Sequence, residues 1–132
     1  MARVEFENGD LVVTLEGLER LVAARADVRM PLAHVVDAYP APERARGWLA
    51  DMRQTQNTGT HIPGLVKAGT FMTAAGPAFY AVRDLRRAVA IDLEGERFRR
   101  LVIEPPAAES PQSCAQRVRE AAFQVRLQPP RA

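Results

Sequence analysis

The chain reads as a mainly β, α+β domain: an antiparallel sandwich or barrel of about seven strands, with a C-terminal helix and one or two short inserted helices. Three observations lead there. An Asn-Gly turn sits between two alternating segments near the N-terminus, turn signals recur every 8 to 12 residues from Leu65 to Glu104, and an amphipathic run opens at Ser110-Pro111. With 132 residues, 47% hydrophobic and 26% charged, the composition is that of an ordinary globular domain, able to remove roughly two thirds of its unfolded surface from water. We expect a single domain over residues 1–126 and a disordered tail over 127–132.

The first element is a hairpin. Val4 and Phe6 alternate with Glu5 and Glu7, Asn8-Gly9 accepts the positive φ angles of a tight turn, and a second strand follows to Glu16. Gly17 breaks the pattern, and Leu18, Leu21 and Val22 then recur at helical spacing, so a short helix is expected through Arg25. From Val28 to Tyr39 the chain is extended but contains Pro31, which predicts two strand pieces meeting at a bend. Ala45, Trp48, Leu49 and Met52 share one helical face, and a short helix over Glu43–Met52 is expected despite Gly47, which weakens it by about 1 kcal/mol. Residues 53–64 are polar and turn-forming and read as the main loop.

Four apolar runs follow, Leu65–Thr73, Pro77–Val82, Ala88–Leu93 and Phe98–Glu104. They are so close in sequence that an antiparallel meander is expected, because parallel crossovers need about a dozen residues or more. Ser110 and Pro111 are a good N-cap and N1 pair. On the final helix Cys114, Val118, Ala121, Ala122 and Val125 fall on one face. Phe123 falls off it, so either the helix ends just before Phe123 and the chain turns inward, or Phe123 is exposed.

Charge is unevenly distributed. Residues 1–40 hold four Arg and seven acids, and residues 41–132 hold fourteen basic residues and nine acids, so an anionic partner should meet the later part. The overall +2 is too slight to imply nucleic-acid binding. Seventeen of the eighteen basic residues are Arg and only Lys67 is lysine, which we read as codon bias. No apolar run approaches the ~20 residues of a membrane span and the N-terminal residues carry no signal-peptide core, so a cytoplasmic protein without a transmembrane segment is expected.

Catalytic signatures are missing from the pattern. No glycine is followed by Lys and then Ser or Thr, no G-x-S-x-G surrounds either serine, and neither His34 nor His61 has a His, Cys or carboxylate at metal-ligand spacing. No cofactor and no metal are expected. We read His34 as a partly buried strand residue with a hydrogen-bonded ring, and Cys114 as a small core residue. The candidate binding residues are Arg53, His61 and Lys67 around the main loop, and Arg83, Arg86 and Arg87 in the meander. Arg97, Arg99 and Arg100 complete that basic stretch, which reads as a solvated sheet face with cross-strand ion pairs rather than an RNA platform, since exposed aromatics between the charges are lacking.

The element order, with the phrases Gly17-Leu18-Glu19-Arg20-Leu21, Pro31-Leu32-Ala33-His34-Val35, Pro63-Gly64, Gly69-Thr70-Phe71 and Arg100-Leu101-Val102-Ile103-Glu104, resembles a group of small, mostly uncharacterised actinobacterial proteins with a bacterial pleckstrin-homology-like domain. The similarity runs from Val4 to about Ala122. The resemblance implies two packed antiparallel sheets with one open end plugged by the C-terminal helix. Its phosphoinositide chemistry is not expected here: where that family places basic residues on the first hairpin, this chain has Glu5, Glu7 and Asp10. The expected function is therefore non-catalytic binding of a protein partner, with a homodimer through an edge strand or the Trp48 helix as one form of it. The alternatives are a small-ligand or anionic-membrane-surface binder using residues 53–67, and an enzyme with a pocket lined by His34 or His61.

Overall fold

A computed structural model describes residues 2–16, 27–41, 60–62, 66–73 and 76–127. The expected helices over Leu18–Arg25 and Glu43–Met52 lie outside the described residues, as do Arg53 and the segment after Leu127. The fold is mixed α+β, two sheets and a C-terminal helix.

The first sheet has the order β1-β2-β3, built from β1 (Ala2–Glu7), β2 (Asp10–Leu15) and β3 (Asp27–Pro31), all antiparallel. Its first turn is the one the sequence predicts: Asn8 and Gly9 take φ of 51° and 81°, the left-handed pair whose twist suits a two-residue hairpin. The extended run does break at Pro31. A 3-10 turn over Leu32–His34 carries the chain out of the first sheet and into β4 (Val35–Pro40) of the second. His34 therefore sits in a turn and not in a strand, because the bend after Pro31 falls on it.

The second sheet has the order β4-β8-β9-β7-β6-β5, with β5 (Thr60–Ile62), β6 (Val66–Thr73), β7 (Gly76–Val82), β8 (Val89–Leu93) and β9 (Arg100–Ile103). Two expectations are corrected. Part of the expected loop 53–64 is the strand β5, paired with β6. The four runs are also not a simple antiparallel meander: β9 inserts between β8 and β7 and pairs with β7 in parallel, Ala78 opposite Arg100 and Ala81 opposite Ile103. The spacing rule forbids a parallel pair only between strands joined directly. Here residues 83–99, including all of β8, form the connection, and they are long enough to bring β9 back alongside β7.

Alternate residues of the second sheet enter two separate cores. Phe79, Ala81, Val89, Ile91, Leu101 and Ile103 face the first sheet and the helix, among Leu11, Val13, Leu15, Cys114 and Val118. Their neighbours Ala78, Tyr80, Val82, Ala90 and Val102 enter a second cluster with Tyr39 and Phe71. A sheet buried on both faces needs apolar residues at every position, which is why these runs read as continuous rather than alternating. At the remaining corner Ala2 N–H donates to the Glu104 carbonyl at 2.7 Å, joining β1 to the end of β9.

Helix α1 (Pro111–Leu127) starts where the Ser-Pro pair predicts, with the Ser113 N–H donating to Ser110 Oγ at 3.1 Å. Cys114, Ala115, Val118 and Ala122 are buried against the sheets, and Ala121 and Val125 pack beside them. The helix continues through Phe123 to Leu127, so Phe123 takes the exposed alternative.

Candidate interaction surface

Among the described residues, Arg86 and Arg87 are engaged by separate partners; Arg53 lies outside those residues. The register sets His61 directly opposite Lys67 on the β5–β6 hairpin. Arg83, Arg86 and Arg87 follow β7, where a 3-10 turn over Leu85–Arg87 is capped by Asp84. Arg86 pairs with that carboxylate at 3.1 Å, and this side-chain hydrogen bond, ahead of the one from its own backbone N–H, holds Asp84 below its ordinary pKa. Arg87 donates instead to the carbonyls of Pro106 and Glu109, pinning the connector that leads into α1. The stem of Arg99 lies over Gly76, and the Arg97 guanidinium lies 5.5 Å from the centre of the Phe98 ring.

Arg100 makes the expected cross-strand pair. Its Nε donates to Asp92 Oδ1 at 2.8 Å from the register position directly opposite, and the Tyr39 hydroxyl donates to the same carboxylate at 3.0 Å. Burial works against the guanidinium charge, but the Asp92 hydrogen bond and its negative charge outweigh it and raise the Arg100 pKa. Asp92, Arg99 and Arg100 border a hollow of about 400 Å³ with Val36 and Ala78. Glu94 borders it too, so both signs of charge meet there, and Asp92 is already engaged.

His34 is also engaged. Its Nδ1 meets the Glu96 carboxylate, while its carbonyl accepts from the Glu94 N–H at 2.9 Å, so the turn after β3 is clamped to the β8–β9 loop. The hydrogen-bonded ring is as expected from the sequence. Cys114 is fully buried, and burial, reinforced by the nearby Glu109 carboxylate, pushes its thiol up to about 12. A thiol so far from ionisation is no nucleophile near neutrality. Among the described residues, no group of three or more His, Cys, Asp and Glu could hold a metal ion, and no helix is long and apolar enough to cross a membrane.

The most distinctive surface lies elsewhere, between β1 and α1. Arg117 builds it. The guanidinium forms a two-point contact with Glu109, Nε to Oε2 at 2.6 Å and Nη2 to Oε1 at 2.7 Å. Its remaining arm, Nη1, donates to the Val4 carbonyl at 3.2 Å, and its carbon lies 5.7 Å from the centre of the Phe6 ring. Three elements are tied by one side chain: the connector, the outer edge of β1 and the helix. Beside it runs a groove of about 500 Å³ lined by Phe6, Arg117, Glu120, Ala121, Phe123 and Gln124. Phe123 is 58% exposed at its mouth, and Leu127, one turn further along α1, is 62% exposed. The sequence signal for this surface was only that Phe123 misses the buried helical face; Phe6 and Arg117 meet it through contacts more than a hundred residues apart along the chain.

Compared with family models, with curated proteins and with solved structures, the chain matches none.

Proposed function

We propose that this chain is a non-catalytic binding module that captures a protein partner on the outer face of α1 and in the groove that α1 makes with β1. The observation that carries the reading is the pair Phe123 and Leu127, large apolar side chains one helical turn apart, exposed beside a recess floored by Ala121 and walled by Phe6. Single exposed apolar residues are common on any surface, but an adjacent aromatic and aliphatic pair at a concave site has the composition of an interface centre. The groove is held open by Arg117, whose guanidinium is fixed by Glu109 and Val4 rather than left to fold into the space.

The scaffold reading joins this one. Two packed sheets and a C-terminal helix support the pleckstrin-homology-like resemblance, and the parallel β7–β9 pair departs from it. Phosphoinositide chemistry stays outside the reading: Glu5 pairs with Arg3, and Glu7 and Asp10 share Arg29 of β3, so the first hairpin holds three acids against one arginine and no basic cluster.

The test is site-specific photo-crosslinking in the source organism. Benzoylphenylalanine replacing Phe123 is expected to give a discrete adduct of higher mass, while the same group replacing Gln112, exposed at the start of α1, gives none. Equal adduct patterns from the two positions, or none from either, overturn the reading.

A further inference from the structure

We infer that the edge strand β4 is a latent self-pairing site held shut by Asp37 and by Arg126 of α1, and that without these two side chains it adds to β4 of a second copy. The argument starts from the backbone groups that face outward. β4 ends the strand order of its sheet, with β8 on one side and, among the described residues, no strand on the other. The Ala41 N–H donates to the Ala88 carbonyl at 2.8 Å, and Tyr39 lies opposite Ala90. Antiparallel pairs alternate between bonded and non-bonded residues, so Tyr39 and Ala41 turn their backbone groups toward β8 while Ala38 and Pro40 turn theirs away.

Those outward groups are occupied or missing. The Ala38 N–H donates to Asp37 Oδ1 at 2.8 Å, and Pro40 has no N–H to offer. At the start of the strand the Val35 carbonyl accepts from Arg126 Nη2. Unpaired edge groups are the template on which another chain adds a strand, and charge, proline and a covering helix are the means of blunting them. β4 has all three, and its sequence needs them: Val35-Val36-Asp37-Ala38-Tyr39 is apolar apart from Asp37, and Val36 is 48% exposed, a composition that favours pairing between identical strands.

The same arrangement recurs on the first sheet. Glu7 and Asp10 flank the two-residue turn as a bonded pair, so Ala2, Val4 and Phe6 face away from β2. The Ala2 N–H is taken by the Glu104 carbonyl and the Val4 carbonyl by Arg117. One helix thus sends an arginine to an edge strand of each sheet. β1 carries Arg3, Glu5 and Glu7 and is protected by that charge as well, which leaves β4 as the strand that depends on its guards. A second copy is the occupant because the edge is self-complementary: in a two-fold antiparallel pairing centred on Ala38, the Ala38 residues of the two copies exchange N–H···O=C bonds.

Sedimentation equilibrium of the full chain tests this. Asp37→Val combined with Arg126→Met is expected to dimerise at a concentration at least about tenfold below any association of the wild type, because two backbone hydrogen bonds become available to the interface. Asp37→Asn combined with Arg126→Met keeps a side-chain oxygen for the Ala38 N–H and should stay monomeric over the same range. Adding Val36→Lys to the dimerising variant charges the edge and should return it to the monomer. The Ala38 amide, followed by NMR, should exchange slowly in the wild type and in Asp37→Asn, and fast in monomeric Asp37→Val.

A mass for the Asp37→Val, Arg126→Met variant that matches the wild type at every concentration overturns the inference. So does association that Val36→Lys leaves in place, the mark of unfolding rather than of edge pairing, and so does fast exchange of Ala38 in the wild type. A wild type that already dimerises and is dissociated by Val36→Lys overturns the guarding role. None of these outcomes bears on the groove between β1 and α1.

Discussion

Replacing Arg117 with Met tests whether the β1–α1 corner is held as described. Methionine keeps the stem against the sheet and removes the guanidinium. Lost are two charge-assisted bonds to Glu109, at 2.6 and 2.7 Å, a third bond to the Val4 carbonyl at 3.2 Å, and the contact with the Phe6 ring. Hydrogen bonds to charged groups contribute about 1.5–3 kcal/mol each when desolvated. The Arg117 and Glu109 side chains are 40% and 21% exposed, so water can take over part of the lost solvation, and the sum must be discounted toward the values of surface pairs. About 2–3 kcal/mol remains, since the carbonyl of Val4, a buried residue, also loses its partner. For a domain of this length that corresponds to a fall in thermal midpoint of about 8–10 °C.

Calorimetry and urea unfolding of the wild type, Arg117→Met, Glu109→Gln and the double variant would give the coupling directly, expected at about 1–2 kcal/mol. A midpoint loss below about 3 °C, or a coupling indistinguishable from zero, would refute the claim that this guanidinium ties the connector, β1 and the helix together. The groove would then lack the support assigned to it.

Three further outcomes follow from the geometry. Gly9→Ala places a side chain at φ +81° with nothing within 4 Å and should cost about 1 kcal/mol of backbone strain; Gly76→Ala, at φ +125° with its Cβ 2.6 Å from Arg99 Cγ, should cost about 2–3 kcal/mol, and equal urea midpoints for the two variants would contradict this. Ser110→Ala removes the cap bonded to the Ser113 N–H and should lower stability by about 1 kcal/mol, restored in Ser110→Asp and measurable as earlier exchange of the first-turn amides. Because burial raises the Cys114 pKa from 9.0 to about 12, the native state holds a proton that the unfolded chain releases. That contribution is complete below the unfolded value near 9 and fades as pH rises toward 12, so between pH 9 and 11 stability should fall more steeply, by up to about 1.4 kcal/mol per pH unit, in the wild type than in Cys114→Ala. Matching slopes, or rapid labelling of native Cys114 by a disulfide reagent at pH 8, would contradict the burial argument.

Local chemistry alone determined several features of this protein. Asn8-Gly9 makes the hairpin because few other residue pairs accept two left-handed conformations in succession, Pro31 bends the extended run, and Ser110-Pro111 starts the helix by supplying one cap acceptor and needing one donor fewer. Each of these depends on a few neighbouring residues, so each is legible without coordinates. The identity of α1's buried stripe was equally readable, including the misfit of Phe123.

Tertiary structure decided which strands lie side by side. Val89–Leu93 and Arg100–Ile103 are similarly apolar runs, and nothing within either states that the second, not the first, will neighbour Gly76–Val82; the choice follows from how both faces of the sheet are covered. The same holds for the surface proposed to bind. Phe6 and Phe123, Arg117 and Val4 are brought together only because α1, packed mainly against β4 and β8, runs past the edge strand β1, whereas Arg86 and Arg87, close in sequence, are engaged by a carboxylate and by two carbonyls. Burial can be inferred from periodicity, but juxtaposition between distant segments has no local signal, and a groove is made of juxtaposition.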